Sequence, residues 1–317
     1  MEKKYDVINI GGIVADILVR PVDPDCFNRD GTPMEEIAFH PGGDAQNCSI
    51  TLTRLGKKAA LVGVMGQDPF GNMVYDYTSK VGVDMTNVFR SVDGKTHTVV
   101  ALVRPDGQRH FLGGGGIEGG LGPEHFDLKL LEQTKIFSIN SMFNAPRLDG
   151  EPMAAILAKA QELGVITCSD TGFDRRNLGL KGIACMLKHL DYFIPSEYEI
   201  NALTGETDVE KNADILLGMG VKNVVIKLGK YGCFIKSKDF CEKVPTYNVK
   251  PIDTTGSGDN FVAGTISAIL EGKNLKECVM RGNACGSINS LKLGASGAVQ
   301  SMEQVLKFME ETPFEIY

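Results

Sequence analysis

The chain has 317 residues, 43% hydrophobic and 23% charged, which are ordinary globular values; a chain of this length buries a core without disulfide or metal staples. A formal net charge of −7 withholds the basic field that nucleic-acid grooves and anionic membrane surfaces require. No apolar run approaches the roughly 18 residues that span a bilayer, and Met1-Glu2-Lys3-Lys4-Tyr5-Asp6 carries no signal-peptide core, so a cytoplasmic protein without nucleic-acid or membrane partners is expected.

Residues 7–10 form the first apolar run and predict a buried strand. Residues 16–22 and 36–39 are strand-like with no helix signal between them, and a helix is predicted over 47–55 before a strand at 60–64. Residues 98–104 and 108–112 predict a hairpin turning through Pro105-Asp106-Gly107, with the glycines at 113–116, 119 and 120 as its loose exit. Strands at 136–139, 165–168, 192–194 and 224–228 then alternate with helices over 152–163 and 208–219. Pro152 suits a first helical turn, and Gly164 and Gly220 suit C-terminal caps.

That alternation predicts an α/β fold with a mostly parallel sheet covered on both faces. Two segments, 13–40 and 96–116, break the rhythm and predict a small β lid over a cleft, leaving 1–12, 41–95 and 117–317 as the core; edge decoration of the main sheet is the alternative. The eight cysteines include no C-x-x-C pair and the five histidines no i, i+4 pair, so reduced core thiols are expected in place of disulfides or a zinc site.

The chemistry concentrates in Asp253-Thr254-Thr255-Gly256-Ser257-Gly258-Asp259-Asn260-Phe261, followed by an almost wholly apolar stretch, 262–270, that predicts a buried helix. A Gly-x-Gly turn feeding a helix start is an anion site, because its amides lack intrahelical acceptors and the helix dipole adds positive potential. Asp259 beside such a site has two readings: a base that takes the proton of an attacking hydroxyl, or a carboxylate that merely neutralises the helix N-terminus. Asn140 ends the strand at 136–139, where open α/β sheets present their crevice, and is a candidate substrate contact.

Other signals carry less. Gly94-Lys95-Thr96 has the tail of a Walker A loop, but Phe89 occupies the leading glycine position. Gly11-Gly12 lacks the G-x-G-x-x-G spacing of a dinucleotide fold. Arg175-Arg176 reads as a solvated pair in a polar loop, and Arg104 and Arg109 on the hairpin face either the cleft or water.

D-T-T-G-S-G-D-N-F resembles the second signature of the ribokinase-like (PfkB) carbohydrate kinase family, and Pro41-Gly42-Gly43-Asp44-Ala45-Gln46-Asn47 resembles the first. Gly66-Gln67-Asp68-Pro69-Phe70-Gly71 is similar to the family's G-x-D-x-x-G turn, Lys227-Leu228-Gly229-Lys230-Tyr231-Gly232 to its nucleotide-side strand exit, and Leu293-Gly294-Ala295 with Asn283 to its adenine-side region. The landmarks fall in the family's order from about residue 6 to residue 300.

The resemblance implies a three-layer α/β/α core with a β-sheet lid. It implies Asp259 as general base and the amides of Gly256, Ser257 and Gly258 as the hole for the transferred phosphoryl group. Asp16, Gly43 and Asn47, with Gly42 in the same turn, would contact substrate hydroxyls; Ser196, Lys227, Gly229, Gly232 and Asn283 would border ATP. Glu199 would organise Mg²⁺ through water, and Asp253 and Thr255, near Asn289 and Gly294, resemble a monovalent-cation loop that implies K⁺.

The departures are specific. Ser196 replaces the Asn of the family's N-x-x-E motif, and Val14 and Asp44 stand where ribokinases carry Asn and Lys, which argues against ribose as acceptor. The expected activity is ATP-dependent phosphorylation of a primary hydroxyl on a sugar or sugar-like molecule, in a homodimer joined through the lid. A nucleoside kinase and a non-catalytic sugar-binding regulator on the same fold remain alternatives.

Overall fold

In the computed structural model, which describes residues 3–105 and 108–315, the period-two pattern of the apolar runs sorts side chains to opposite faces of one large sheet. The chain opens with β1 (Tyr5–Gly11), β2 (Val14–Arg20) and β3 (Glu36–Gly42), then α1 (Asp44–Arg54), β4 (Ala59–Gly66), α2 (Pro69–Val81) and β5 (Val88–Ser91). Next come β6 (Thr98–Val103), β7 (Arg109–Gly114), β8 (Thr134–Met142), α3 (Glu151–Glu162), β9 (Ile166–Thr171), α4 (Gly179–Leu187) and β10 (Tyr192–Phe193). The remainder is α5 (Glu197–Thr204), α6 (Val209–Gly218), β11 (Asn223–Lys227), β12 (Cys233–Ser237), β13 (Cys241–Val244), α7 (Ser257–Ile269), α8 (Leu275–Ser290) and α9 (Met302–Glu311).

Among the described residues, nine strands form the large sheet in the order β13-β12-β11-β10-β9-β8-β1-β4-β5. It is parallel from β11 to β5, and β12 and β13 add an antiparallel margin. Val7, Ile136 and Val225 point to one face and pack with Phe261, Val262, Ile266 and Val279 of α7 and α8. Their neighbours Ile8, Phe137 and Ile226 point to the other and pack with Leu157, Met186 and Leu216 of α3, α4 and α6. Two helical layers around a sheet give the predicted three-layer α/β architecture. Among the described residues no helix is long and apolar enough to cross a membrane, and all eight cysteines are free.

A second sheet, β3-β2-β6-β7, stands apart from the first. β2 pairs antiparallel with β3 and parallel with β6, and β6 pairs antiparallel with β7. The Asp106-Gly107 turn of the predicted hairpin lies outside the described residues. Gly113 and Gly114 are not a loose exit: they belong to the β7 ladder, opposite Val99 and Thr98.

Helix boundaries also shift. The first helix starts at Asp44 and not at 47, because Gly43, at φ 93°, turns the chain out of β3 and its carbonyl already accepts the Asn47 amide. The helix expected over 262–270 starts at Ser257, so the Gly-x-Gly turn is its first turn. The sequence pattern misses α8 because that helix buries Arg281, Asn283, Ser287, Asn289 and Ser290 along with its apolar residues, which blurs any apolar stripe. The G-x-D-x-x-G turn braces the fold. Its Asp68 caps α2 by accepting from the Gly71 amide at 2.7 Å, and accepts from the Thr96 amide and hydroxyl at 2.9 and 2.8 Å.

From β1 the chain builds outward to β4 and β5, and from β8 it builds the other way. The carboxyl ends of β1 and β8 therefore open at the point where strand order reverses, which is where open α/β sheets bind ligands. Helix α7 is anchored beside this crevice by Asn260. That fully buried side chain accepts from Thr51 Oγ1 of α1 at 2.7 Å and donates to the Gly256 and Ala295 carbonyls at 2.7 and 2.8 Å. Asn260→Ala strands the Thr51 hydroxyl and the Ala295 carbonyl in the core. It is expected to cost about 3 kcal/mol in urea denaturation, against about 1 kcal/mol for Thr51→Ala.

Candidate active site

Four strand ends deliver polar side chains or backbone to the crevice: Gly11 and Asn140 at β1 and β8, which lie opposite each other, Asp170 on β9 and Lys227 on β11. Helix α7 meets them with its N-terminus, capped by Gly256 at φ 70°, where a Cβ would collide with the Ala295 carbonyl. The Ser257 amide donates to the Thr254 carbonyl at 3.2 Å, whereas the Gly256 and Gly258 amides have no protein acceptor among the described residues. The Ser257 hydroxyl is buried and unpartnered. Two open amides, one idle hydroxyl and the dipole of a buried helix suit an incoming anion.

Asp259 is buried in the first turn of that helix, and Asn47 of α1 donates to its Oδ2 at 2.8 Å. Burial pushes the Asp259 carboxyl up to about 7, the Asp170 charge pushes the same way, and Asn47 and Lys227 pull against both. Asp170 is likewise raised to about 7 by burial and by Asp44, while Lys227 and the Ser141 amide, donating at 2.6 Å, favour its charged form. Burial and the Asp259 charge hold Asp44 well above the usual carboxylate range. The Lys227 ammonium serves all three, lying 3.5 Å from where a Cβ on Gly258 would stand.

Two cavities adjoin here. The larger, about 590 Å³, is lined by Ser257, Gly258 and Asp259 of the α7 turn. Ser196, Glu199, Lys227, Gly229, Gly232 and Asn283 complete its wall. The smaller, about 390 Å³, takes in Gly43 and Asn140 and meets the larger at Asp44, Ser141, Asn144 and Arg175. Asn140 is 2% exposed, yet neither amide atom finds an oxygen or nitrogen partner among the described residues. Asn47 Oδ1 is also unpartnered. Such idle buried groups suit a polar ligand with several hydroxyls.

The structure distributes the other expected site residues as follows. Asp16 lies on β2 against the backbone of Gly42, and burial raises it to about 6. Ser196 and Glu199 form a reciprocal cap on α5: the Ser196 amide donates to Glu199 Oε2 at 2.7 Å and the Glu199 amide to Ser196 Oγ at 3.3 Å. The Thr171 hydroxyl adds a second donor to Glu199 Oε2 at 2.8 Å. Asn283 donates to the Pro245 carbonyl at 3.0 Å. Gly229 and Gly232, at φ 59° and 85°, turn the chain from β11 into β12. Asp253 and Thr255 lie outside both cavities, and the Asp253 carboxylate and the Thr255 carbonyl accept from N–H donors.

Asp170, Ser141 and Asn144 are site residues that the motifs do not mark. Asp170 is findable in principle, since it lies near the end of β9 as Asn140 lies near the end of β8, and strand ends face the crevice. Ser141 is held at φ 64°, a conformation that costs about 1 kcal/mol or more for a residue with a Cβ, and nothing in its sequence context announces it. Arg175, expected in solvent, lines both cavities at their junction.

Residues 8–302 match the family described as pfkB family carbohydrate kinase. Fructokinase-1 of Oryza sativa subsp. japonica is 30% identical over 289 residues, covering 85% of this chain and 88% of the relative, and a fructokinase of Solanum tuberosum is 30% identical over 280 residues, covering 85% and 86%. Among solved structures, the ribokinase of Thermotoga maritima superposes with a TM-score of 0.81 at 27% identity, covering 97% of this chain and all of that one. The fructokinase of Xylella fastidiosa with bound ATP, at a TM-score of 0.81 and 20% identity over 97% of this chain and 99% of that one, shares the fold. With matching residues from β1 to the start of α9, the chain belongs to the pfkB family of carbohydrate kinases.

Proposed function

We propose that this chain transfers the γ-phosphoryl group of ATP to a primary hydroxyl of a sugar, with a ketohexose as the favoured acceptor. The observation that carries this reading is Asp259, a buried carboxylate beside the open amides of α7 and oriented by Asn47. The larger cavity takes the nucleotide, and the smaller takes the acceptor. In this arrangement Asp259 accepts the hydroxyl proton as the oxygen attacks, and the amides of Gly256 and Gly258 with the Ser257 hydroxyl stabilise the charge spread over the transferred group.

Among the described residues no cluster of three His, Cys, Asp or Glu forms a metal cage. Mg²⁺ would ride on the phosphates with most of its waters, held from the protein side through water by Glu199, which lines the larger cavity. When bound, the ion neutralises phosphate charge. Lys227 contributes a fixed positive charge beside the same turn.

The small sheet acts as the lid, with residues 13–40 and 96–116 closing over the core formed by 1–12, 41–95 and 117–317. Closure excludes water and aligns the hydroxyl. Two copies pair through the face of this sheet that carries Ile37 and Leu112, both exposed. A sugar is favoured over a nucleoside because, among the described residues, the wall of the smaller cavity contains no Phe, Tyr or Trp on which a base would stack. Kinship with plant fructokinases points to a ketohexose.

Three measurements test this reading. Asp259→Asn should keep the fold and ATP affinity while kcat falls about 10²- to 10⁴-fold; near wild-type turnover would remove Asp259 as the base. Because Asp259 must be ionised to accept a proton, kcat should rise with pH through about 7. Asp170→Asn removes a repelling charge and should move that limb to lower pH; an unmoved limb would assign the titration elsewhere. In a panel of ketoses, aldoses, ribose and nucleosides read by ADP release, a ketohexose should give the highest kcat/KM, and a nucleoside in that place would refute the acceptor assignment.

A further inference from the structure

Residues 253–255 lead into the Gly256 cap, and the Asp253 carboxylate and the Thr254 and Thr255 carbonyls are already engaged. Asp253 is 8% exposed. Its Oδ1 accepts from the Thr255 amide at 2.9 Å, the Thr255 hydroxyl at 2.7 Å and Arg109 Nη1 at 2.5 Å, and its Oδ2 accepts from the Gly294 amide at 3.0 Å. Arg109 Nη2 reaches the Thr254 hydroxyl at 3.5 Å. The Thr255 carbonyl accepts from Asn289 Nδ2 at 2.7 Å, and the Ala295 carbonyl from Asn260 Nδ2 at 2.8 Å. A monovalent cation needs a shell of free oxygens, and these accept from N–H groups and from the Thr255 hydroxyl. The residues present do not fit the K⁺ site that the sequence resemblance implies.

One of those N–H groups carries a full positive charge. Arg109 opens β7 of the small sheet, opposite Val103, so its guanidinium crosses from that sheet to the loop that sets the α7 turn. Burial alone would raise the Asp253 carboxyl, yet the Gly294 and Thr255 donors and the Arg109 charge hold it below the ordinary carboxylate range. A guanidinium and K⁺ within contact distance of one carboxylate repel each other, and only the former is tethered.

We propose that Arg109 is the resident cation of the 253–255 loop, so that this chain works without a monovalent ion and draws the charge at the base of its anion turn from the small sheet. The rate measurement below rests on the kinase reading; the melting measurement does not.

The test compares KCl with choline chloride at equal ionic strength, reading both the initial rate with the accepted sugar and the melting temperature. The wild type should give the same values in both salts. Arg109→Met leaves Asp253 without its cation and should become K⁺-responsive, with a rate about tenfold higher and a higher melting temperature in KCl. Arg109→Lys, which keeps a charge, should stay indifferent to the salt. A wild type activated or stabilised by KCl overturns the proposal, as does an Arg109→Met variant that is impaired equally in both salts. If that variant does not fold in either salt, the wild-type melting comparison still decides. Absence of phosphoryl transfer in every salt sinks the kinase reading alone, since the melting temperatures still report on Arg109.

Discussion

Asp44, Asp170 and Asp259 share one ammonium group, Lys227, at the carboxyl ends of the central strands, and the site depends on that imbalance. Each carboxylate is buried or half-buried, each is repelled by another, and one fixed cation is too little to ionise all of them at neutral pH. A carboxylate with an ordinary pKa would be a poor acceptor for an alcohol proton. Under the proposed mechanism, crowding three of them strengthens the base without any change of residue type, and Asn47 Nδ2 donates to one Asp259 oxygen, Oδ2. In the reaction we propose, the open amides at the start of α7 would place an electron-poor phosphoryl group next to an electron-rich acceptor.

The fold brings these groups together across large sequence separations. Asn47 and Asp259 are 212 positions apart, and Thr51 and Asn260 are 209 apart. Both links join α1 to α7, the two helices that cover the same face of the sheet. A glycine precedes the first residue of each helix, Gly43 for α1 and Gly256 for α7, and both adopt positive φ, so the two N-termini enter the crevice as matched turns. Asn260 ties the second turn to the core from beneath, which keeps its amides in place before any ligand arrives.

Much of this is legible in residues 41–47 and 253–261, because small residues, an acid and a following apolar run state their chemistry locally. The parallel strands are legible for a similar reason: strands buried on both faces are continuous apolar runs, as in β4 and β11. What stays hidden depends on distance. The Arg109–Asp253 pair spans 144 positions, and a lone arginine on a hairpin looks the same whether it meets a carboxylate or water. Asp170 carries no motif, and its importance arises from burial beside Lys227 and Asp44. Helix α8 is hard to see because its polar residues face inward to hold neighbouring backbone, as Asn283 and Asn289 do. Arg175 looks solvated in sequence because the junction of two cavities is a property of folded surfaces and not of local composition.

The margins of the large sheet, β5 and β13, are four residues each and carry Arg90, Glu242 and Lys243. A strand that brief offers a neighbouring chain few free amides and carbonyls, and its charges resist a dry, close-packed approach. Aggregation by edge-to-edge zippering is thereby discouraged at both ends of a nine-stranded ribbon that would otherwise be an inviting template.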